Sequence, residues 1–127
     1  KYAGIVTAHR DLINLRLNRY GNTTGLTGQH TAIFHQDDNN SVIGYHRWDQ
    51  GGPHDDVIVI ANFSENDFAG YQLLLPRLGS WQIRFNSTWD GYSKDFDNVE
   101  LSTIVTDDQQ TATIALPAFA VLIASQD

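Results

Sequence analysis

The stretch RWDQGGPHDDVIVIANFS, from Arg47 to Ser64, decides the fold of this chain. It contains a Gly-Gly-Pro turn at residues 51–53, followed by a run from Val57 to Ala61 that is apolar at every position. A β-strand that is apolar on both faces has to be covered on both faces, and a chain of 127 residues forms few layers. The stretch therefore predicts an interior strand whose second face needs a covering layer of its own.

The composition is that of one acidic globular domain without cysteine. Eight basic and fifteen acidic residues give a net charge of -7, which argues against nucleic acid and against an anionic membrane as partners. No apolar run approaches the roughly 20 residues of a membrane span. The absence of cysteine fits a reducing compartment, so we predict a cytoplasmic location. Because the chain begins at Lys1 within a helical pattern, we expect a fragment of a longer protein.

The first part of the chain predicts an amphipathic helix from Tyr2 to about Arg19, ending at Gly21. Its apolar stripe recurs at spacings of three and four residues and is formed by Ile5, His9, Leu12, Ile13, Arg16 and Leu17, with Val6 and Leu15 widening it. The stretch after it is rich in Gly and Thr, which is typical of a connector. The predicted organisation is a helix at residues 1–20, a connector at residues 21–29 and a β-domain at residues 30–127.

After the connector the hydrophobic period changes from that of a helix to two, the period of a strand. Eight short strands are predicted, each bounded by Asn, Asp, Gly or Pro. They span residues 30–35, 42–48, 57–63, 71–75, 81–86, about 99–105, 110–116 and 119–125. Short strands at such regular intervals predict an antiparallel sandwich or barrel.

The predicted strands are of two kinds. In WQIRFN the residues Trp81, Ile83 and Phe85 alternate onto one face, as expected for a strand with one side in water. Three other strands offer apolar side chains to both faces, at residues 57–61, 73–75 and 119–124. Since a two-sheet sandwich has one core, some of these residues need a second covering layer from the helix, a partner or a neighbouring domain absent from this chain.

The sequence predicts no metal, cofactor or nucleophilic site. The runs at residues 37–40 and 49–56 are rich in oxygen ligands, but neither has the spacing of a calcium loop. The five histidines do not form the paired helical spacing of a zinc site. Ser41 or Ser87 could be combined with a histidine and an aspartate, but no Gly-x-Ser-x-Gly elbow is present.

Several motifs follow one another along the chain: the amphipathic helix, the stretch from Arg47 to Ser64, GYQLLLPRLGSWQIRFNS (Gly70 to Ser87) and WDGYSKDF (Trp89 to Phe96). This order resembles the C-terminal end of alpha-amylase-family glycoside hydrolases, and most closely that of 1,4-alpha-glucan branching enzymes. The residues that match the pattern of the family are Asn62, Phe63, Tyr71, Leu75, Pro76, Gly79, Trp81, Asn86 and Ser87. The departures are Thr88, where aspartate is common, and GYSKDF, where branching enzymes often carry Gly-Gly-Ser.

The resemblance implies a fold and the absence of catalytic residues. In that family the last helix of the catalytic barrel leads into an all-β domain, so we expect an eight-stranded antiparallel Greek-key β-sandwich preceded by one N-terminal α-helix. The aspartate nucleophile and the glutamic acid/base of such enzymes lie on barrel strands upstream of this region, so no catalytic residue is expected here. Glycoside hydrolysis needs two carboxylates across one cleft, whereas the acidic pairs of this chain lie in predicted turns.

Two functions are left open by the sequence. The first is a non-catalytic accessory domain that stabilises the catalytic (β/α)8 barrel of the same parent chain, an enzyme acting on alpha-1,4-glucans such as a branching enzyme or an alpha-amylase. The second is an alpha-glucan-binding module, because sugars stack on flat aromatic rings. Trp48, Trp89 and Tyr92 are the candidates, since no periodicity requires their burial. The same side chains could instead plug the ends of the sandwich or contact the barrel.

Overall fold

The computed structural model describes residues 3–88 and 103–127. This part of the chain holds one α-helix, α1 (Ala3–Arg16), a short 3-10 helix (Thr24–Thr27) and eight strands. The strands are β1 (His30–Asp37), β2 (Val42–Trp48), β3 (Val57–Asn62), β4 (Phe68–Leu74), β5 (Ser80–Asn86), β6 (Thr103–Val105), β7 (Thr111–Leu116) and β8 (Val121–Ser125). The predicted class, eight antiparallel strands after one helix, is confirmed.

The described strands form two antiparallel sheets that pack as a sandwich. The larger sheet has the order β1-β2-β3-β8-β5-β6, and β4 pairs with β7 in the smaller one. Alternating residues of both sheets meet in an inner core. Its largest fully buried members include Ile58, Ile60, Trp81, Leu116 and Leu122.

Strand β3 is covered on both faces, as its sequence predicts. Ile58 and Ile60 enter the inner core, while Val57 and Val59 point to the opposite side of the large sheet. There they join a second group, the helix-side cluster, formed by Leu15, Leu26, Val57, Val59, Phe85 and Ile123. The helix α1 and the 3-10 helix are therefore the second layer that β3 requires.

One prediction from strand periodicity is wrong. Phe85 does not share a face with Trp81 and Ile83, because the pairing of β5 with β8 shifts between Ile83 and Phe85 and moves Phe85 to the helix-side cluster. Such a bulge adds one residue and reverses the alternation beyond it. Leu74 is 60 % exposed, so the cover predicted for its face of the smaller sheet is not supplied within residues 3–88 and 103–127.

The helix ends earlier than its periodicity predicts. Regular helix stops at Arg16, and Asn18 adopts a left-handed conformation with φ of 55°. Asparagine tolerates this conformation better than most residues, and its side chain accepts a hydrogen bond from the Thr23 N–H at 2.9 Å. No helix in residues 3–88 and 103–127 combines the length and hydropathy needed to cross a membrane.

The 3-10 helix lies so close to the β2 and β3 ends that Gly25 leaves no room for a side chain. Its N–H donates to the Asp55 carbonyl at 2.8 Å, and a Cβ at Gly25 would lie 2.3 Å from that oxygen and 2.4 Å from the Arg47 carbonyl oxygen. Both neighbours are backbone atoms and cannot rotate away. The close approach therefore fixes the position of the second layer.

We expect Gly25→Ala to lower the free energy of unfolding by about 3 kcal/mol, because the overpacked turn has to move away from the sheet. Gly70→Ala is the matched control, since a Cβ there meets only Thr113 at an ordinary 3.5 Å. Urea unfolding of both variants measures the difference. Equal stability of the two variants would show that the turn adapts without cost.

Candidate functional site

The loop after β2 contains Asp56, which forms a charged cluster with His46 of β2 and with the half-exposed Arg77. Asp56 is fully buried and accepts hydrogen bonds from the Gly52 N–H at 2.6 Å and from His46 Nε2 at 2.7 Å. Oδ2 of Asp56, the oxygen that accepts from Gly52, also forms an ion pair with Arg77 Nε. Every partner of this carboxylate belongs to the fold itself, so the cluster holds the loop in place.

The neighbouring Asp55 shapes the same loop. Its carboxylate accepts hydrogen bonds from the backbone N–H groups of Asp49 at 2.8 Å and Gln50 at 3.0 Å. Burial acts to raise the pKa of Asp55, but the hydrogen bonds from Asp49, Gln50 and Gly51 outweigh it and hold the pKa below its ordinary value. This arrangement agrees with the turn role predicted for the acidic pair.

A second polar link joins the two sheets. The Tyr71 hydroxyl of β4 donates to Asp37 Oδ2 at 2.7 Å, and His35 Nε2 lies 2.5 Å from the same hydroxyl oxygen. Because the single hydroxyl proton is donated to Asp37, His35 must donate to the hydroxyl oxygen. Burial raises the pKa of Tyr71, and the Asp37 carboxylate raises it further. The link stabilises the edge strand β1 against β4 and leaves the phenol protonated.

Trp48 lies at the end of β2 and is partly buried. Its ring stacks on His46 at a centroid distance of 4.4 Å and on His30 at 5.2 Å, with interplanar angles of 25° and 21°. The imidazoles thus occupy ring surface that a pyranose would need for stacking. Trp89 and Tyr92, the other two predicted sugar contacts, lie outside the described residues.

No metal site is found in the described ranges, where no three His, Asp or Glu side chains converge closely enough to hold an ion. The acidic runs at residues 37–40 and 49–56 use their oxygens on nearby backbone and side-chain donors instead.

Within the described part of the chain, one side of α1 forms an exposed apolar surface. The helix contacts its own domain through Leu15, which is buried, and through Ala8, which packs against the helix-side cluster. Its opposite side carries Ile5, Val6 and Ile13, each more than half exposed. Most of the stripe predicted from the sequence therefore faces away from the sandwich. The side chains that line the resulting shallow groove are Ile5, Val6, His9, Arg10, Ile13, Asn14 and Arg19.

Two exposed phenylalanines lie where β3 ends and β8 begins. Phe63 follows β3 and is 66 % exposed, and Phe119 precedes β8 and is 65 % exposed. Phe119 also has a left-handed backbone with φ of 55°, which is uncommon for a bulky residue and costs of order 1 kcal/mol. The N–H of Phe119 donates to the Ser64 carbonyl at 3.1 Å, so the two chain segments are adjacent.

Sequence reasoning identified the apolar helix but missed the charged cluster and the exposed phenylalanines. Arg77 and Asp56 are distant in sequence, and no local pattern links them. For Phe63 the sequence does contain a signal. Val57 and Val59 belong to the helix-side cluster, and the alternation of the strand, continued to residue 63, assigns Phe63 to the same face.

Solved structures of two larger proteins are similar to parts of this chain. No curated protein matches this chain. The alpha-amylase from H. orenii is similar in structure, with a TM-score of 0.59 and 19 % identity over 95 % of this chain and 20 % of that chain. The pullulanase from Anoxybacillus sp. LM18-11 has a TM-score of 0.45 and 20 % identity over 81 % of this chain and 12 % of that chain. This chain thus spans about a fifth or less of the length of either protein.

The family model of the alpha amylase C-terminal all-beta domain matches residues 32–126. The match covers the sandwich from β1 to β8 and begins after α1 and the 3-10 helix. With three quarters of its residues in that match, the chain belongs to the family of alpha-amylase C-terminal all-beta domains.

Proposed function

We propose that this chain is a non-catalytic accessory domain that stabilises the catalytic barrel of an alpha-amylase-family enzyme. The observation that carries the proposal is the orientation of α1, which turns its more apolar side away from its own sandwich. Monomeric proteins rarely leave a contiguous apolar patch of this kind uncovered. The exposed Phe63 and Phe119 support the same conclusion, because they form a further apolar surface where β3 ends and β8 begins.

Docking through α1 is tested by placing a charge in the groove of the full-length parent protein. We expect Ile13→Asp to weaken docking by about 2 kcal/mol, because an apolar contact is lost and a carboxylate is desolvated. In calorimetry we expect the wild type to unfold in one transition shared by both domains and the Ile13→Asp variant to unfold in two. Leu74→Asp is the matched control, since Leu74 is similarly exposed, at 60 % against 54 % for Ile13, but lies on the outer face of the smaller sheet. If both variants unfold like the wild type, the helix is not the docking element.

The activity of the parent protein is a further part of the proposal. We infer an enzyme acting on alpha-1,4-glucans, and the resemblance of residues 47–87 to branching enzymes favours glucan branching over hydrolysis. Incubating the full-length protein with amylose separates the two reactions. Branching creates α-1,6 linkages without a gain in reducing ends, whereas hydrolysis raises the reducing ends. We expect this chain alone to catalyse neither branching nor hydrolysis. The absence of cysteine from this chain favours a cytoplasmic location of the parent protein.

Glucan binding by the domain is the alternative, and it depends on Trp48, Trp89 and Tyr92. Trp48 is the only one of the three within the described ranges, and its ring contacts with His30 and His46 argue for a structural role. We therefore expect a maltoheptaose titration of the isolated domain, followed by amide NMR, to give no shift up to millimolar sugar. Shifts confined to residues 89–96 and removed by Trp89→Ala would favour the binding module instead.

A further inference from the structure

The charge of this chain is unevenly distributed. Residues 1–20 carry four of the eight basic side chains, Lys1, Arg10, Arg16 and Arg19, but only one of the fifteen acidic side chains, Asp11. The remainder of the chain is strongly acidic, since the total is -7. The helix segment is therefore a basic element attached to an acidic domain.

Two basic side chains of the helix segment lie beside the apolar groove of α1. Arg10 and Arg19 line the groove together with Ile5, Val6 and Ile13. Arg16, in the last turn of the helix, is exposed and does not line it. A partner that covers these apolar side chains consequently comes close to the guanidinium groups of Arg10 and Arg19, called the rim arginines below.

Neither rim arginine has an acidic partner in the described part of this chain. The ion pairs found there are His46–Asp56, Arg77–Asp56 and Arg84–Asp127. Removing water from a guanidinium without supplying an acceptor is unfavourable, and carboxylates match its donor geometry best. The surface that covers the groove must therefore supply acceptors opposite Arg10 and Arg19.

From these observations we infer that α1 docks on an apolar surface of the catalytic domain whose rim carries carboxylates opposite Arg10 and Arg19. The inference rests on the proposed function and adds the chemistry of the partner surface. A polyanion is disfavoured as the occupant because the chain as a whole is acidic. The family match begins at residue 32, so α1 lies outside the matched β-domain.

The test is hydrogen exchange of the α1 amides, residues 3–16, in the full-length parent protein. We expect the double variant Arg10→Glu/Arg19→Glu to reduce their protection about tenfold, because two attractions become repulsions. Raising NaCl to about 0.5 M should reduce the protection of the wild type but not that of the double variant. Arg16→Glu is the matched control: it changes the same kind of charge on the same helix, and the helix dipole alone predicts about a twofold effect.

The outcomes separate the inference from the proposed function. If Ile13→Asp exposes the helix while the double variant behaves like Arg16→Glu, the helix docks but its partner has no carboxylate rim, and the inference is overturned. If Ile13→Asp also leaves protection unchanged, the proposed docking itself fails. Protection that disappears on dilution would identify a second copy as the occupant, and protection gained only with anionic vesicles would identify a membrane. Either result overturns the inference.

Discussion

Replacing Asp56 by alanine is expected to lower the free energy of unfolding by about 3 kcal/mol, because removing one partner of a buried ion pair leaves the other groups unsatisfied. The Gly52 N–H and His46 Nε2 lose their acceptor, and Arg77 loses its counter-ion. The value lies at the lower end of the range for buried pairs because the Arg77 side chain is 48 % exposed and regains water. Urea unfolding of the isolated chain measures the effect.

The control for Asp56 is Arg77→Gln, which keeps the carboxylate and its bonds to Gly52 and His46. We expect this variant to cost about 1 kcal/mol or less, since the guanidinium is half in water. A loss from Asp56→Ala no larger than that from Arg77→Gln would mean that the loop does not depend on the carboxylate. The comparison therefore isolates the role of Asp56 as an acceptor for backbone and imidazole from its role as a counter-ion.

Replacing Trp81 by alanine is expected to cost about 4 kcal/mol, the typical loss for a large aromatic side chain removed from a core. Trp81 is 0 % exposed, lies between the two sheets, and its Nε1 donates to the Arg77 carbonyl at 3.3 Å. If Trp81→Ala does not fold, Trp81→Phe keeps most of the volume and gives a smaller, measurable loss. Leu74→Ala is the surface control and should change stability by less than about 0.5 kcal/mol.

A titration of Trp81→Phe with denaturant also tests the location of this side chain. An exposed or sugar-contacting tryptophan would tolerate the change to phenylalanine with almost no loss of stability. A clear loss, with Leu74→Ala unchanged, agrees with a core position. The outcome matters for the function, because Trp81 belongs to the motif that carries the family resemblance.

The strands could be predicted because their alternation is a local property of the sequence. Residues 111–116 follow period two without interruption, and Ala112, Ile114 and Leu116 are buried as expected. Phe85 could not be placed, because a bulge depends on how β5 pairs with β8 and not on the sequence of β5 alone. The interior position of β3 was predictable for a different reason: only a strand covered twice accommodates five consecutive apolar residues.

The candidate site was predictable only in part. Periodicity revealed that α1 has an apolar stripe, but it does not indicate whether the sandwich or another domain covers that stripe. The helix buries Leu15 in its own domain and exposes Ile5 and Ile13, a choice that depends on the shape of the large sheet. The cluster around Asp56 was not predictable, because Arg77 reaches it from another part of the chain.

The position of β8 in the large sheet has a consequence for synthesis of the protein on the ribosome. This strand lies between β3 and β5, although it is the last strand along the chain. Until residues 121–125 have left the exit tunnel, β3 and β5 each lack a neighbour and expose their backbone donors and acceptors. The nascent sandwich therefore cannot close vectorially from its N-terminus, and the edges of β3 and β5 that pair with β8 stay open to other chains during that interval.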